Sequence, residues 1–375
     1  MRRSTNRILV SHAGTAPKPQ DVPSLPDAVK DVVRKQVEVG IDIVNDGELS
    51  KSNFTNYVRD RLSGIESAGD RSTALPSRNI NARDLREFPD FFATGGGGFG
   101  RNRPGANAGQ RIVFPQPMVV TGPIGYMGEA TVASDAANLK AALEGFDVEG
   151  FLPAVAPGTV EHWLYNQYYK TDEEYLFALA DALHHEYKAI TDAGLNIQID
   201  DPDLPDGWQM FPSMSVAEYR KYAELRVDAI NQALKGIPEE QVRLHVCWGS
   251  GLGPHKNDID FADIVDIVMK VNAQVYSFEA ANPRHQHEWR VWQDVKVPDG
   301  KSIMPGVIGH ATDIIEHPRL IADRLVQYAE LVGKENVVAG TDCGVGSRVW
   351  NGEIAWAKFA AMAEGARIAS QELWS

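Results

Sequence analysis

Short apolar runs alternate with amphipathic helical stretches along most of this chain, and that alternation restricts the fold more than any other feature. The runs are Ile8 to Val10, Ile41 to Asn45, Met118 to Thr121, Leu195 to Asp200, Val242 to Cys247, Val275 to Glu279, Ile303 to Gly309 and Val337 to Thr341. Between the fourth and fifth, Ser215-Val216-Ala217-Glu218 reads as a capping box, and Gly236 closes the helix that follows. Before the fourth, Tyr175, Leu176, Leu179, Leu183, Tyr187 and Ile190 recur at helical spacing, ended by Gly194. Eight strands, each followed by a helix, predict a parallel (βα)₈ barrel, and 375 residues fit one large barrel. We therefore expect a single α/β TIM-barrel domain over residues 1–375, with residues 63–117 inserted between strands two and three.

In such barrels the working face lies at the C-terminal ends of the strands. His245 and Cys247 end the fifth run, Glu279 ends the sixth, and Cys343 follows the eighth. Their spacing of two puts His245 and Cys247 on one face of a strand. One imidazole, two thiols and one carboxylate form a mixed nitrogen, sulfur and oxygen set that tetrahedral zinc accepts. Taken singly, each residue has a plainer reading, since a cysteine in an apolar strand is usually a small buried hydrophobe. Taken together on one rim, they predict a Zn²⁺ site that activates a thiol, because a thiol near pKa 8.5 loses its proton on coordination. Other polar groups gather at the same rim: Ser11 and His12 after strand one, Asp46 and Glu48 after strand two, Asp200 and Asp201 after strand four, and His310 after strand seven. Asp46 and Asp201 read as capping or loop residues. Glu48 and Asp200 read equally well as substrate contacts, and His310 as either an acid–base group or a loop histidine.

Composition removes several alternatives. A net charge of −14 argues against nucleic acid or an anionic membrane as partner, since the average surface repels a polyanion. No apolar run approaches the roughly 20 residues that span a bilayer, and Ile8 to Val10 is too short for a signal peptide. A cytoplasmic location is the expectation, and it makes a disulfide between the two cysteines the poorer reading. A homo-oligomer is neither required nor excluded.

The His-x-Cys pair of His245 and Cys247, the later Glu279, the final Asp342-Cys343-Gly344 and the segment Gln198-Ile199-Asp200-Asp201-Pro202 together resemble the catalytic barrel of cobalamin-independent methionine synthase and its shorter relatives. The resemblance runs from Ser11 through Asp46-Gly47-Glu48 to Cys343. It implies that His245, Cys247, Glu279 and Cys343 hold zinc, that a small-molecule thiol of the homocysteine type is the acceptor, and that Asp200, with Glu48 beside it, contacts the substrate. It also implies substrate contacts from Ser11 and His12, where the chain reads Val10-Ser11-His12-Ala13-Gly14 in place of the family's Gly-Ser-Phe-Pro, and a proton-handling role for His310. The alkyl donor implied is a methylated corrinoid or a folate. A branch of the same relatives, the epoxyalkane:coenzyme M transferases, adds a thiolate to an epoxide, and for its sulfonate Arg284, Lys18, Arg101 and Arg103 are the available cations.

Two features stand outside this frame. The tract Gly95-Gly96-Gly97-Gly98-Phe99-Gly100-Arg101-Asn102-Arg103 lacks the Gly-Lys-Ser/Thr ending of a phosphate loop and reads better as part of a lid over the rim. The competing class is a barrel whose zinc is purely structural, although such sites favour close-spaced cysteine pairs on loops. Uroporphyrinogen decarboxylase-like barrels share the predicted architecture without needing this ligand set.

Overall fold

The computed structural model describes residues 1–76, 78–94, 117–249, 251–346 and 348–375. Its strands, in chain order, are β1 (Leu9–Val10), β2 (Ile43–Val44), β3 (Leu62–Ser67), β4 (Met118–Tyr126), β5 (Glu149–Val155), β6 (Leu164–Asn166), β7 (Asn196–Asp200), β8 (Val242–Val246), β9 (Val275–Phe278), β10 (Ser302–Ile308) and β11 (Val338–Thr341). Eight of them form one sheet in the order β1-β11-β10-β9-β8-β7-β5-β2. Every pairing in it is parallel. A parallel bridge from Ser11 to Ile43 brings β1 against β2 and so joins the two ends of the sheet. The predicted TIM-type α/β architecture is therefore present, and no described helix is long and apolar enough to cross a membrane.

Helices cover the outside, so the strands are buried on both faces, as parallel sheets require. All five residues of β7 and all five of β8 are buried, polar ones included. The helix Asp172–Asp192 starts where the Thr171 hydroxyl accepts from the Glu174 amide, carries three acidic residues in its first turn, and turns Tyr175, Leu176, Leu179, Leu183, Tyr187 and Ile190 inward. The Ser215–Glu218 capping box forms as its sequence predicts. Each fully buried Leu or Ile on such a face contributes about 1.5–3 kcal/mol relative to exposure.

One predicted barrel strand is corrected. Met118 to Thr121 does not enter the barrel: β4 pairs antiparallel with β3 and parallel with β6 in a separate sheet. The third barrel strand is β5, which the sequence disguises with Gly150 and Pro153, residues that ordinarily argue against a strand interior. Both are accommodated here. A Cβ on Gly150 would lie 2.5 Å from Leu143 Cδ1, so glycine admits the close approach of the preceding helix. Pro153 pairs on one side with Gln198 of β7, while β2 pairs only as far as Gly150, and the Pro153 carbonyl accepts from Lys51 Nζ. The excursion between the second and third barrel strands thus contains β3 and β4 themselves, with the short helix Ala82–Glu87 between them.

Candidate metal and substrate site

Register places the chemistry. Asp200 is paired with His245 at the ends of β7 and β8, and His245 with Ser277 of β9. Cys247 and Glu279 lie one residue beyond β8 and β9, and Cys343 lies two beyond β11. The ligand atoms of His245, Cys247 and Cys343 all lie within 4.8 Å of one another. The two cysteines are not joined by a disulfide. His245 Nδ1 is 2.9 Å from Ser277 Oγ, which fixes the ring and leaves Nε2 buried with no hydrogen-bond partner. Such an outer hydrogen bond is the usual way a ligating histidine is oriented.

Glu279 stands beside this group. Its Oε1 accepts from the Trp248 amide at 3.1 Å and its Oε2 from Asn282 Nδ2 at 2.5 Å. It also forms a second cluster with His310 and Asp342, whose ligand atoms again lie within 4.8 Å of one another. Asp342 Oδ1 accepts from the Ala280 and Ala281 amides at 2.8 and 2.7 Å, which pins the loop that carries Glu279. Its Oδ2 and both ring nitrogens of His310 are buried without partners.

Burial governs the proton affinities of these groups. The hydrogen bond between the thiols lowers Cys343 well below the ordinary thiol value, with further help from His245, and raises Cys247. Desolvation pushes the Glu279 carboxyl well up, with Asp342 and Cys343 adding repulsion. It takes Asp342 to about 6 and Glu48 to about 7, and it raises Asp200. His310 falls to about 4, also through burial. The Cys247 thiol and four carboxyls, all resisting ionisation in one buried region, make an environment that favours a cation. An imidazole with an orphaned nitrogen and two cysteine sulfurs at ligand spacing fit Zn²⁺ by donor type, with Glu279 next to them.

The remaining predicted residues fall in different places. Asp200 accepts from Gln198 Nε2 at 2.6 Å. Glu48 takes a left-handed backbone, φ 56°, and its Oε1 is 3.6 Å from Lys51 Nζ. Ser11 and His12 are fully buried and already engaged: Ser11 Oγ donates to the Ile43 carbonyl at 2.9 Å, and His12 Nε2 is 2.7 Å from Gln36 Oε1. Asp201 Oδ1 accepts from the Leu204 amide at the start of the helix Asp203–Met210, and Asp46 accepts from the Glu48 amide. Arg284 lines a cavity at the rim. Arg101 and Arg103 lie outside the described residues.

Reading the sequence missed Asp342, Lys51 and Arg243. Arg243 is fully buried inside the barrel, where it donates to Gln198 Oε1, Ser11 Oγ and the His12 carbonyl and covers the Phe151 ring. Its signal was an arginine among the valines and leucine of β8, two positions before His245.

A further imidazole–carboxylate chain ties the loops behind Cys247 and Glu279 together. Asp258 Oδ2 lies 2.9 Å from His255 Nδ1 and 3.1 Å from His285 Nε2, and His285 Nδ1 is 2.9 Å from Glu288 Oε2. Although burial opposes it, the hydrogen bond to Asp258 raises His255 from 6.5 to about 9. The folded chain holds this proton more tightly than the unfolded one. The stabilisation is therefore complete below pH 6.5 and is lost as pH rises through about 9. We expect it to reach on the order of 2 kcal/mol. Urea midpoints at pH 6 and pH 9.5 should differ more for the wild type than for His255→Gln; parallel behaviour would refute the assignment.

The chain is similar to known proteins along most of its length. A family model described as the catalytic domain of cobalamin-independent synthase matches residues 109–367. A methionine synthase of Sulfolobus acidocaldarius is 26% identical over 350 residues, covering 92% of this chain and 82% of that protein. One from Saccharolobus solfataricus is 24% identical over 353 residues, covering 92% and 85%. Among solved structures, a B12-independent methionine synthase from Shewanella sp. W3-18-1 in complex with selenomethionine superposes with a TM-score of 0.69 at 20% identity, covering 98% of this chain and 99% of the other. A methyltransferase from Methanosarcina mazei reaches a TM-score of 0.57 at 14% identity, covering 99% and 95%.

Proposed function

Because the chain belongs to the cobalamin-independent synthase catalytic-domain family, we propose that it is a zinc-dependent methyltransferase that alkylates a small thiol of the homocysteine type. The observation that carries the proposal is the convergence of His245, Cys247 and Cys343 within 4.8 Å at the barrel rim, with Glu279 adjacent. These four residues would hold the metal. When bound, zinc supplies the Lewis acidity by which a substrate thiol loses its proton near neutral pH.

The chain's own groups do the rest. Ser277 holds the His245 ring, and the Trp248 amide with Asn282 holds Glu279, so the donors are fixed before a substrate arrives. Asp200 and Glu48 place carboxyls at the same rim. An ammonium group arriving there finds partners for both, whereas a sulfonate would meet repulsion, and this favours an amino-acid thiol over coenzyme M. Burial lifts the Glu48 carboxyl to about 7, and an approaching ammonium favours its charged form. His310 and Asp342 face Glu279 without other partners for His310 or for Asp342 Oδ2, and are placed to move protons as ligands exchange. The methyl donor, a methylated corrinoid or a folate, would approach over the rim.

Calorimetry of the zinc-loaded protein with homocysteine and with coenzyme M tests the reading. Homocysteine should bind with release of about one proton, more tightly than coenzyme M. Absence of thiol binding in a zinc-loaded sample would sink the proposal, and preference for coenzyme M would move the chain to the epoxide-opening branch.

A further inference from the structure

Beneath the proposed site, the barrel interior holds a cation that hydrogen-bonds no carboxylate among the described residues. β7 and β8 lie in a register that pairs Gln198 with Arg243 and Asp200 with His245. Residues two apart on a strand share a face, so Gln198 and Arg243 form a layer below the one that carries Asp200 and His245. Gln198 and Arg243 are sealed from solvent, at 0% and 1% exposure, whereas Asp200 at its strand end keeps 7%.

Arg243 gives its donors to neutral groups. Nε donates to Gln198 Oε1 at 2.7 Å, Nη1 to Ser11 Oγ at 2.8 Å and Nη2 to the His12 carbonyl at 3.0 Å. Burial lowers the guanidinium to about 9, against the attraction of Asp200 and Glu149, so it stays a cation at neutral pH. As a space-filler it is costly, since an aliphatic side chain packs a similar volume without desolvating a charge. What the arginine decides is the orientation of an amide. A guanidinium has only donors, so Gln198 must turn its oxygen toward Arg243 and its Nε2 away. That Nε2 donates to Asp200 Oδ1 at 2.6 Å, and among the described residues no other side chain hydrogen-bonds this carboxylate. A reversed amide would set its oxygen against the carboxylate. Ser11 belongs to the same network: its hydroxyl accepts from Arg243 and donates to the Ile43 carbonyl, so its one proton is already engaged.

We propose that Arg243 is a positioning residue for the amine contact of the acceptor thiol. Acting through Gln198, it holds the Asp200 carboxylate as a hydrogen-bond acceptor and so sets the preference for a thiol that carries an ammonium group. The assignment rests on the reading above in which Asp200 meets that ammonium.

Calorimetry of zinc-loaded protein with homocysteine and with 4-mercaptobutyrate, the same thiol acid without its amine, tests the relay, with zinc content measured in each sample. Wild type should bind homocysteine more tightly. Arg243→Met should lower homocysteine affinity by about tenfold while changing that of 4-mercaptobutyrate by less than about twofold. Arg243→Lys, which still offers Gln198 a donor, should recover most of the preference. Gln198→Met leaves the arginine and its bonds to Ser11 and His12 in place and should match Arg243→Met, so it carries the test if Arg243→Met does not fold. Equal losses for both thiols in Arg243→Met and Gln198→Met would reduce the pair to barrel packing and overturn the assignment, as would variants that keep the wild-type preference. Wild type that binds neither thiol, or both alike, overturns the substrate reading itself and this assignment with it; a wild type that prefers homocysteine, with variants that do so equally, overturns this assignment alone.

Discussion

Cys247→Ser is expected to lower zinc affinity by more than about a hundredfold, since even outer-shell substitutions cost 10–100-fold. The exchange is nearly isosteric in a buried position, so the barrel should fold and the loss should be specific to the metal. Serine retains an oxygen in place of Sγ, but its hydroxyl does not ionise near neutral pH, whereas both thiols must be deprotonated to ligate. The companion change Ser277→Ala, which frees the His245 ring without removing a donor, should fall between wild type and Cys247→Ser. Acid should act on the wild type in the same direction. Cys247 and Glu279 are both raised, so they take up protons early as pH falls and compete with the metal. Metal content by mass spectrometry after dialysis against a weak chelator checks the series. Stoichiometric zinc in Cys247→Ser would remove this residue from the ligand set and, with it, the main support for the proposed chemistry.

The candidate ligands were legible because they lie at ends of strands whose largely apolar runs are short and regularly spaced along the chain. Parallel strands buried on both faces carry apolar residues on each, and β7 to β11 keep enough of them to stand out despite polar positions such as Gln198 and Arg243. The residue types then did the rest, since the chain has only two cysteines and each falls at such an end. What could not be read depends on contacts far apart in sequence. β5 was hidden because Gly150 and Pro153 are breakers in isolation, and only the packing of Leu143 and the position of Lys51 make them tolerable. β4 looked like a barrel strand because its first residues are apolar, and only its pairing with β3 puts it elsewhere. Asp342 was passed over because its role, holding the Ala280 and Ala281 amides, exists only once β11 lies beside β10 and β10 beside β9. The rim cavity lined by Arg83, Arg86 and Arg284 is of the same kind, assembled from an insertion helix and a loop about two hundred residues apart in the numbering.

The same long-range logic gives the largest expected effect on stability, at the root of the insertion. Arg61, immediately before β3, is buried between Asp135 at 2.7 Å and Glu186 at 3.1 Å, with side-chain exposures of 5%, 6% and 1%. Tyr57 and Tyr126 donate to the two oxygens of Glu186 at 2.8 and 2.9 Å, and the guanidinium lies 4.7 Å from the Tyr57 ring centroid. One cation thus holds the start of the insertion to two helices of the barrel wall. Arg61→Met keeps much of the side-chain volume but strands two carboxylates in a region sealed from water, and removing one side of a buried pair costs about 3–5 kcal/mol. A buried ion network is a weak source of net stability, because desolvation offsets most of its attraction. The triple variant Arg61→Met, Asp135→Leu, Glu186→Met should therefore recover much of the loss. Urea denaturation of the three proteins at neutral pH separates the two effects. A loss below about 1 kcal/mol in Arg61→Met would mean that water reaches these carboxylates or that they fold protonated. A triple variant as unstable as the single would instead assign the network a positive role in fixing how the insertion meets the barrel.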